Sequence, residues 1–247
     1  MTNRENMIAV LEGEIPERIP LVVYGEIVYN NGPGFDGLIQ QGLCIMPRVT
    51  VVNEIINDVE KIITKSKKDK YDIETIILRT KVGEITQVSM DGWIQEYFLK
   101  TPEDYLVMTF IIENTKLELL PDVFACWDKK VGEYGVPIIK ANRSPLQAII
   151  VDYAGLENYS YHMYDCYSEL MELYKALENQ LIEYCKLVAL SPGRYVQLRE
   201  NLTSEQMGPE RYKKYHMPVY EKIISILHDV DKKYLLIMMV RFPAWLI

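Results

Sequence analysis

The sequence predicts an α/β protein in which parallel strands are connected by crossover helices. Residues 193–237 indicate this most clearly: a β run at 195–198 leads through a polar loop to a helix that starts at Gly208-Pro209, and a second apolar run follows at 234–237. A strand, a helix and a strand in that order form a parallel pair with a right-handed connection. Most of the chain repeats this alternation of short apolar runs and helical segments, which is typical of α/β folds.

The composition is that of an ordinary soluble globular protein. The 247 residues are 49% hydrophobic and 25% charged, which is enough to bury a single core. Acidic residues outnumber basic ones by 35 to 27, giving a net charge of −8, so nucleic acid and anionic membranes are not expected partners. No repeat, low-complexity tract or linker divides the chain, and we expect one domain over residues 1–247.

The cysteines and the amino terminus predict a cytoplasmic protein. Four cysteines form no C-x-x-C pair, and reduced thiols are the simplest interpretation. The amino terminus is polar and lacks the layout of a signal peptide. The longest apolar run, at 234–240, is too short to span a bilayer.

Up to residue 56 the chain alternates between helical and strand patterns. Gly13 ends the first helix, because glycine readily takes the left-handed conformation found after helices. In order, the expected elements are a helix over 6–13, a rigid turn at 16–20, a buried strand over 19–24, a loop at 30–34, a short helix over 37–42 and a weak strand over 51–56.

Residues 71–99 depart from this alternation. Their β-rich runs are separated by short turns that are typical of hairpins, so we expect an antiparallel β meander inserted into the α/β pattern. The runs and turns are 75–80, the turn 81–83, 84–88, the turn Asp91-Gly92 and 93–98.

The rest of the chain returns to the alternating pattern. Thr101 and Ser144 each precede a proline, which marks the start of a helix. In order, we expect a helix from 101, a strand over 136–140, a helix over 144–155, a helix over 164–190 with leucines along one stripe, a strand over 195–198 and a strand over 234–240.

These strands predict a (β/α)8 TIM-barrel type fold that is incomplete. About five strands are of barrel type, and a closed barrel requires three more. The apolar tail at 242–247 directly follows the last strand, whereas domain termini usually lie at the surface. We therefore expect a barrel that lacks its C-terminal strands; the alternative is that Trp245 and Leu246 dock on the core.

Polar residues at strand ends are the candidate substrate or cofactor pocket, because ligands of parallel-sheet folds bind at the carboxyl ends of strands. Each residue also has a structural interpretation. The group after the strand at 195–198 has the residue types that cap helices, Tyr24 could pack in the core, and Arg143 could lie on the surface. The candidates are Tyr24, Arg143, Arg199, Glu200, Asn201 and Thr203.

No metal site is expected. His162 and Cys166 lie four residues apart on one helix face, with Asp165 beside them, but Cys185 lies about five turns further along and cannot complete a ligand set. His228 ends a helix, where a protonated imidazole suits the helix dipole. Nucleotide-binding, serine-hydrolase and zincin motifs have no counterpart here.

Several segments, taken in order, resemble the uroporphyrinogen decarboxylase superfamily, and within it the branch of corrinoid-dependent methyltransferases. The resemblance extends over nearly the whole chain and implies the (β/α)8 barrel. The matching segments are RENMIAVLEGEIPERIP at 4–20, 71–105 with TKVGEI, RSPLQ at 143–147, AGLE at 154–157, and 200–229 with ENLTS, YHMP and LHD.

Two departures from the superfamily pattern bear on activity. Decarboxylases carry arginines after the first strand that bind substrate carboxylates, whereas residues 24–29 read YGEIVY, which disfavours a polycarboxylate substrate. Methyltransferase-like members carry H-x-D-G or H-x-C where residues 237–240 read IMMV, so zinc-dependent thiol activation is not expected of this chain.

The resemblance implies methyl transfer to a small acceptor, with a corrinoid (cobalamin) carried on a partner protein. Tetrapyrrole decarboxylation is one alternative. Another is that the chain is a truncated, non-catalytic barrel fragment that acts as a binding module. The sequence does not identify the acceptor, the catalytic residues or the oligomeric state, and a homo-oligomer is compatible with it.

Overall fold

A computed structural model describes residues 1–30 and 32–237, and its strands form one parallel wall and two antiparallel sheets. The strands are β1 (Leu21–Tyr24), β2 (Leu43–Met46), β3 (Arg48–Val49), β4 (Val52–Ile56), β5 (Glu60–Lys68), β6 (Tyr71–Thr80), β7 (Gly83–Met90), β8 (Trp93–Glu96), β9 (Thr115–Leu119), β10 (Ile138–Ala141), β11 (Tyr195–Arg199) and β12 (Lys233–Ile237).

The helices surround these sheets. They are α1 (Asn3–Glu12), α2 (Gly25–Asn30), α3 (Asp36–Gln40), α4 (Pro102–Glu113), α5 (Val123–Val131), α6 (Pro145–Ala148), α7 (Gly155–Asp165), α8 (Tyr167–Ala189), α9 (Ser204–Arg211) and α10 (Met217–His228). Short 3-10 turns cover Gly32–Phe35 and Gly132–Tyr134, and π-helical turns cover Ile149–Ala154 and Tyr212–His216.

Six parallel strands make the wall. β1 pairs with β2, and β3 pairs with β10, which continues through β11 to β12, all in parallel. Only Pro47 separates β2 from β3, and a parallel bridge from Ile45 to Gly135 joins the two groups. The predicted α/β class with a parallel sheet is therefore confirmed, whereas no closed barrel forms over residues 1–30 and 32–237.

The second strand of the wall differs from the prediction. Residues 51–56 were expected there, but β4 pairs antiparallel with β9, from Val52 opposite Leu119 to Ile56 opposite Thr115. The wall instead uses residues 43–49, where Pro47 interrupts the strand because it has no N–H for the ladder.

The meander is confirmed, and it begins earlier than expected. β5, β6, β7 and β8 form a four-stranded antiparallel sheet, so β5 adds residues 60–68 to the predicted insertion. At the last turn, Asp91 and Gly92 both have positive φ, as the hairpin pattern predicts. Leu78 and Ile85 of this sheet are buried in the same core as Val107 of α4.

The helix boundaries follow their caps. α1 begins three residues earlier than predicted, because Thr2 and Glu5 form a capping box, and it ends at Gly13 with φ +80°. The helix that starts after Ser144 turns π-helical and breaks at Gly155, so α7 is a separate helix. Gly208 has a non-helical backbone with φ +66°, and the helix predicted from Gly208-Pro209 runs on through a π turn to His228.

The wall separates a large core from a small one. Ile139, Val196 and Leu198 face α8 and α10 in the main core. On the opposite face, Ile138 and Tyr195 pack with Met7 of α1. No helix in the described part of the chain is long and apolar enough to cross a membrane. Three predicted features lie outside the described residues: the end of the expected strand at 238–240, the IMMV segment beyond Ile237 and the apolar tail at 242–247.

Candidate functional site

Four basic side chains share one face of the parallel wall, and one of them, Lys233, forms an ion pair with Glu12 at 2.8 Å. Arg48 lies opposite Ile138, and Lys140 lies opposite Gln197. Residues two apart on a strand, and residues opposite each other on parallel neighbours, point to the same side. Arg48, Lys140 and Arg199 therefore point to the face opposite the main core, and we call them the cationic face.

Of Arg48, Lys140 and Arg199, the last two have no acidic partner among the residues that the structure describes. Arg48 forms an ion pair with Glu26 at 3.0 Å and lies 4.2 Å from the centroid of the Tyr24 ring. Lys140 and Arg199 make no side-chain hydrogen bond or ion pair with the described residues, and Nε of Arg199 is buried without a partner. Burial lowers the pKa of Lys140, and the charges of Arg199 and Arg48 lower it further.

Arg143 fastens the end of β10 to its neighbours. Its Nε donates to the carboxylate of Asp152 at 3.1 Å, and its Nη1 donates to the carbonyl oxygen of Arg199 at 3.0 Å. Arg143, Asp152 and Arg199 line a cavity of about 110 Å³ together with Glu54 and Asn142. The structure thus brings Arg143 and Arg199 together, with Arg143 engaged in an ion pair.

Glu200 follows β11 and lies in a buried polar cluster, by which we mean Ser144, Glu200, His216, Tyr220 and Tyr234. The side chain of Glu200 is 1% exposed. Its Oε1 accepts from the backbone N–H of Ser144 at 2.7 Å, whereas its Oε2 has no partner in the described chain. Burial raises the pKa of Glu200 to about 7, although the bonds from Ser144 and the charge of Arg143 oppose this shift.

His216 is the second titratable member of the buried polar cluster. Its Nδ1 lies 3.0 Å from Oγ of Ser144 and 3.4 Å from the hydroxyl of Tyr220, and its Nε2 has no partner among the described residues. Burial lowers the pKa of His216 to about 4, so the imidazole is neutral at pH 7. Gln147, one helical turn beyond Ser144, is also buried, and neither of its amide atoms has a partner in that part of the chain.

The remaining predicted site residues lie apart from this cluster. Tyr24 ends β1 beneath Arg48. Thr203 caps α9, its hydroxyl accepting from the N–H of Gln206 at 3.2 Å, which is the capping alternative. Asn201 is exposed between β11 and α9.

Sequence reasoning did not identify Lys140, Ser144 or His216 as site residues. Ser144 was interpreted as the start of a helix, which it is, and its contact with His216 spans 72 residues of sequence. The available signal was position alone, since both Lys140 and Ser144 lie near the carboxyl end of a strand.

The described residues do not fit a zinc site. No group of three or more His, Cys, Asp or Glu side chains in residues 1–30 and 32–237 could hold a metal ion. His162 instead lies 3.0 Å from the hydroxyl of buried Tyr105, and burial raises the pKa of Cys166. This pair therefore has a structural role in the core.

Comparisons with known proteins give likenesses among solved structures only. No protein-family model matches the chain, and no curated protein matches it. Among solved structures, the chain is similar to a methyltransferase from Methanosarcina mazei at 12% identity and a TM-score of 0.48, over 96% of this chain and 70% of that one.

Proposed function

We propose that this chain is an enzyme of the uroporphyrinogen decarboxylase superfamily that transfers a methyl group from a corrinoid on a partner protein to a small acceptor. The ordered sequence resemblance supports this proposal, as does the parallel wall with polar residues at its carboxyl edge. The observation that carries it is Glu200, a buried carboxyl group beside that edge with Oε2 unpaired within the described residues and a pKa of about 7.

Methylation of an acceptor X–H forms an X–C bond and breaks the bond between the methyl group and its carrier. The electron pair of the broken bond stays on the carrier, and the proton of X–H is released. The corrinoid, when its protein docks, supplies the methyl group as an electrophile. Glu200 takes the released proton at Oε2, because a carboxyl group with a pKa near 7 accepts and returns protons readily at neutral pH. The nearby charge of Arg143 favours the carboxylate form that accepts the proton.

The chain's own residues suit a role in which it binds the methyl acceptor and takes the proton, while the partner protein carries the corrinoid. The corrinoid remains on its own protein, so this chain supplies no cobalt ligand. Three side chains have buried oxygen or nitrogen atoms without partners among the described residues: Glu200 at Oε2, His216 at Nε2 and Gln147 at its amide. These atoms suit a small methyl acceptor that forms hydrogen bonds. No step is assigned to zinc.

The test is methyl transfer by the purified chain from methylcobalamin to a panel of small thiols, amines and alcohols, followed by the loss of methylcobalamin absorbance. We expect Glu200→Gln to lower kcat by about 10²-fold or more, the usual contribution of a general base. Glu210→Gln, at an exposed position two turns into the next helical segment, is the matched control. Turnover unchanged by Glu200→Gln, or no turnover with any acceptor, contradicts the proposal.

Decarboxylation of a tetrapyrrole is the second candidate, and one observation favours it. Although residues 24–29 contain no arginine, the cationic face places Arg48, Lys140 and Arg199 on one side of the wall, where they could bind substrate carboxylates. Release of CO2 from a porphyrinogen, without consumption of methylcobalamin, would select this candidate.

A further inference from the structure

We infer that the cationic face is a binding site for a small multivalent oxyanion, such as a dicarboxylate or a phosphate. The inference goes beyond methyl transfer, because it concerns binding and stands whether or not the chain turns over a substrate. It gives a chemical class of ligand to Arg199, a candidate pocket residue in the sequence, and assigns a ligand-binding role to Lys140, which the strand pattern did not predict.

The first argument is the convergence of positive charge. The strand register puts Lys140 and Arg199 on the same face of adjacent strands, and Arg48 on that face one strand further along. Like charges on neighbouring strands destabilise a sheet unless an opposite charge lies between them. The pKa of Arg199 is lowered by burial and then by the charge of Arg143, as expected for a cation among cations.

The second argument is that nearby acids are already engaged elsewhere. Glu26 pairs with Arg48, and Asp152 pairs with Arg143. Glu54 accepts from the side chain of Asn142 at 2.6 Å. No carboxylate among the described residues forms an ion pair or hydrogen bond with Lys140 or Arg199: the charges of Glu26 and Asp152 act on them only at longer range, and the unpaired Oε2 of Glu200 lies in the buried polar cluster. A bound anion would therefore be their direct counter-charge.

The third argument is desolvation. Lys140 and Arg199 are half-buried, and a charged group taken partly out of water is costly unless it is paired. Oε1 of Gln197, on the same face, is also buried without a partner in the described chain. An oxyanion that keeps one proton would bond both cations and donate to this amide oxygen.

The experiment is a titration of the purified full chain with sodium phosphate and with sodium succinate, with sodium chloride at matched ionic strength as the reference. Binding is read by calorimetry and by the rise in melting temperature. We expect both oxyanions to bind more strongly than chloride, and the two arms show whether the site prefers phosphate or carboxylate.

Variants assign the binding to named side chains. Lys140→Met should weaken oxyanion binding by about tenfold or more, the range of one charge-assisted hydrogen bond, and should leave the melting temperature without anion unchanged or higher because repulsion is relieved. Arg199→Lys should give a smaller loss, since the charge remains while the forked geometry is lost. Lys213→Met, at an exposed position, is the control and should change neither reading.

Labelling of the wild-type chain gives a result that does not depend on how variants fold. Acetylation of Lys140, followed by mass spectrometry, should slow by about tenfold in saturating phosphate or succinate, whereas that of Lys213 should not. Oxyanions that act no differently from chloride would overturn the inference. So would a Lys140→Met variant that melts lower while binding the oxyanion normally, because this would make Lys140 a structural residue.

Discussion

The backbone N–H of Ser144 donates to Oε1 of Glu200 at 2.7 Å. This hydrogen bond links the loop after β10 to the residue that follows β11. Both side chains are buried, and Ser144 also contacts Nδ1 of His216 through its hydroxyl. A single residue at the start of α6 therefore fixes the position of the two titratable groups in the buried polar cluster.

Glu200 should make stability depend on pH in a direction opposite to that of an ordinary carboxylate. The folded-state pKa of about 7 lies above the ordinary 4.5, so the folded chain holds this proton more tightly than the unfolded chain. That contribution is full below pH 4.5 and is lost as pH rises through 7. We expect the stability of the wild type relative to Glu200→Gln to fall by about 3 kcal/mol between pH 4.5 and 8, measured by urea unfolding.

Comparing the two proteins removes the opposing effect of His216. Its folded-state pKa of about 4 lies below the ordinary 6.5, so its contribution is present above pH 6.5 and is lost as pH falls toward 4. This change occurs in both proteins and cancels in the difference. Glu210→Gln should parallel the wild type at every pH, and a Glu200→Gln curve that also parallels the wild type would mean that Glu200 is ionised in the fold.

Lys232 should stabilise the turn before β11. Its ammonium group is buried and donates to the carbonyl oxygen of Ser191 at 2.6 Å and to that of Gly193. Lys232→Met keeps most of the apolar stem but leaves both carbonyl groups without this donor, so we expect a loss of about 1–3 kcal/mol in the free energy of unfolding. Lys213→Met serves as the exposed control, and equal stability of the two variants would contradict this role.

The strands that the sequence predicted correctly are short, mostly apolar runs that are buried in the fold, such as β10 and β11. β5 was missed because its lysines leave it exposed on both faces, as is common for edge strands. β4 was placed in the wrong sheet because its partner, β9, lies about 60 residues away, and local periodicity carries no information on which strand pairs with which.

In the candidate site, too, residues marked by local sequence could be predicted, whereas residues brought in by long-range packing could not. Glu200 and Arg199 could be proposed from position, because polar residues directly after a parallel strand lie at its carboxyl edge. Lys140 lies inside a strand whose other residues are apolar, and only the register of the wall shows that it shares a face with Arg199. His216 required the packing of α10 against the wall, which no short motif specifies.

Gly155 should tolerate no side chain. It has φ +76°, and a Cβ atom there would lie 2.6 Å from the ring of Tyr97. Gly155→Ala therefore combines backbone strain with a steric clash, and we expect a loss of about 2–4 kcal/mol in thermal or urea unfolding. Gly37→Ala is the matched control, since its Cβ would meet nothing within 4 Å and φ is ordinary. A Gly155→Ala variant as stable as Gly37→Ala would show that the break between the π turn and α7 can be rebuilt without cost.

Tyr184 should connect the stability of α8 to the cationic face. Its hydroxyl donates to the carbonyl oxygen of Lys140 at 2.9 Å, and its ring is buried in the main core. Tyr184→Phe keeps the ring and removes only the hydrogen bond, so we expect a loss of about 1 kcal/mol in urea unfolding. Because the bond holds the backbone at Lys140, the variant should also bind phosphate or succinate more weakly. Tyr161→Phe, at a position 61% exposed, should change neither quantity; a stability loss with unchanged oxyanion affinity would mean that β10 keeps Lys140 in place without help from α8.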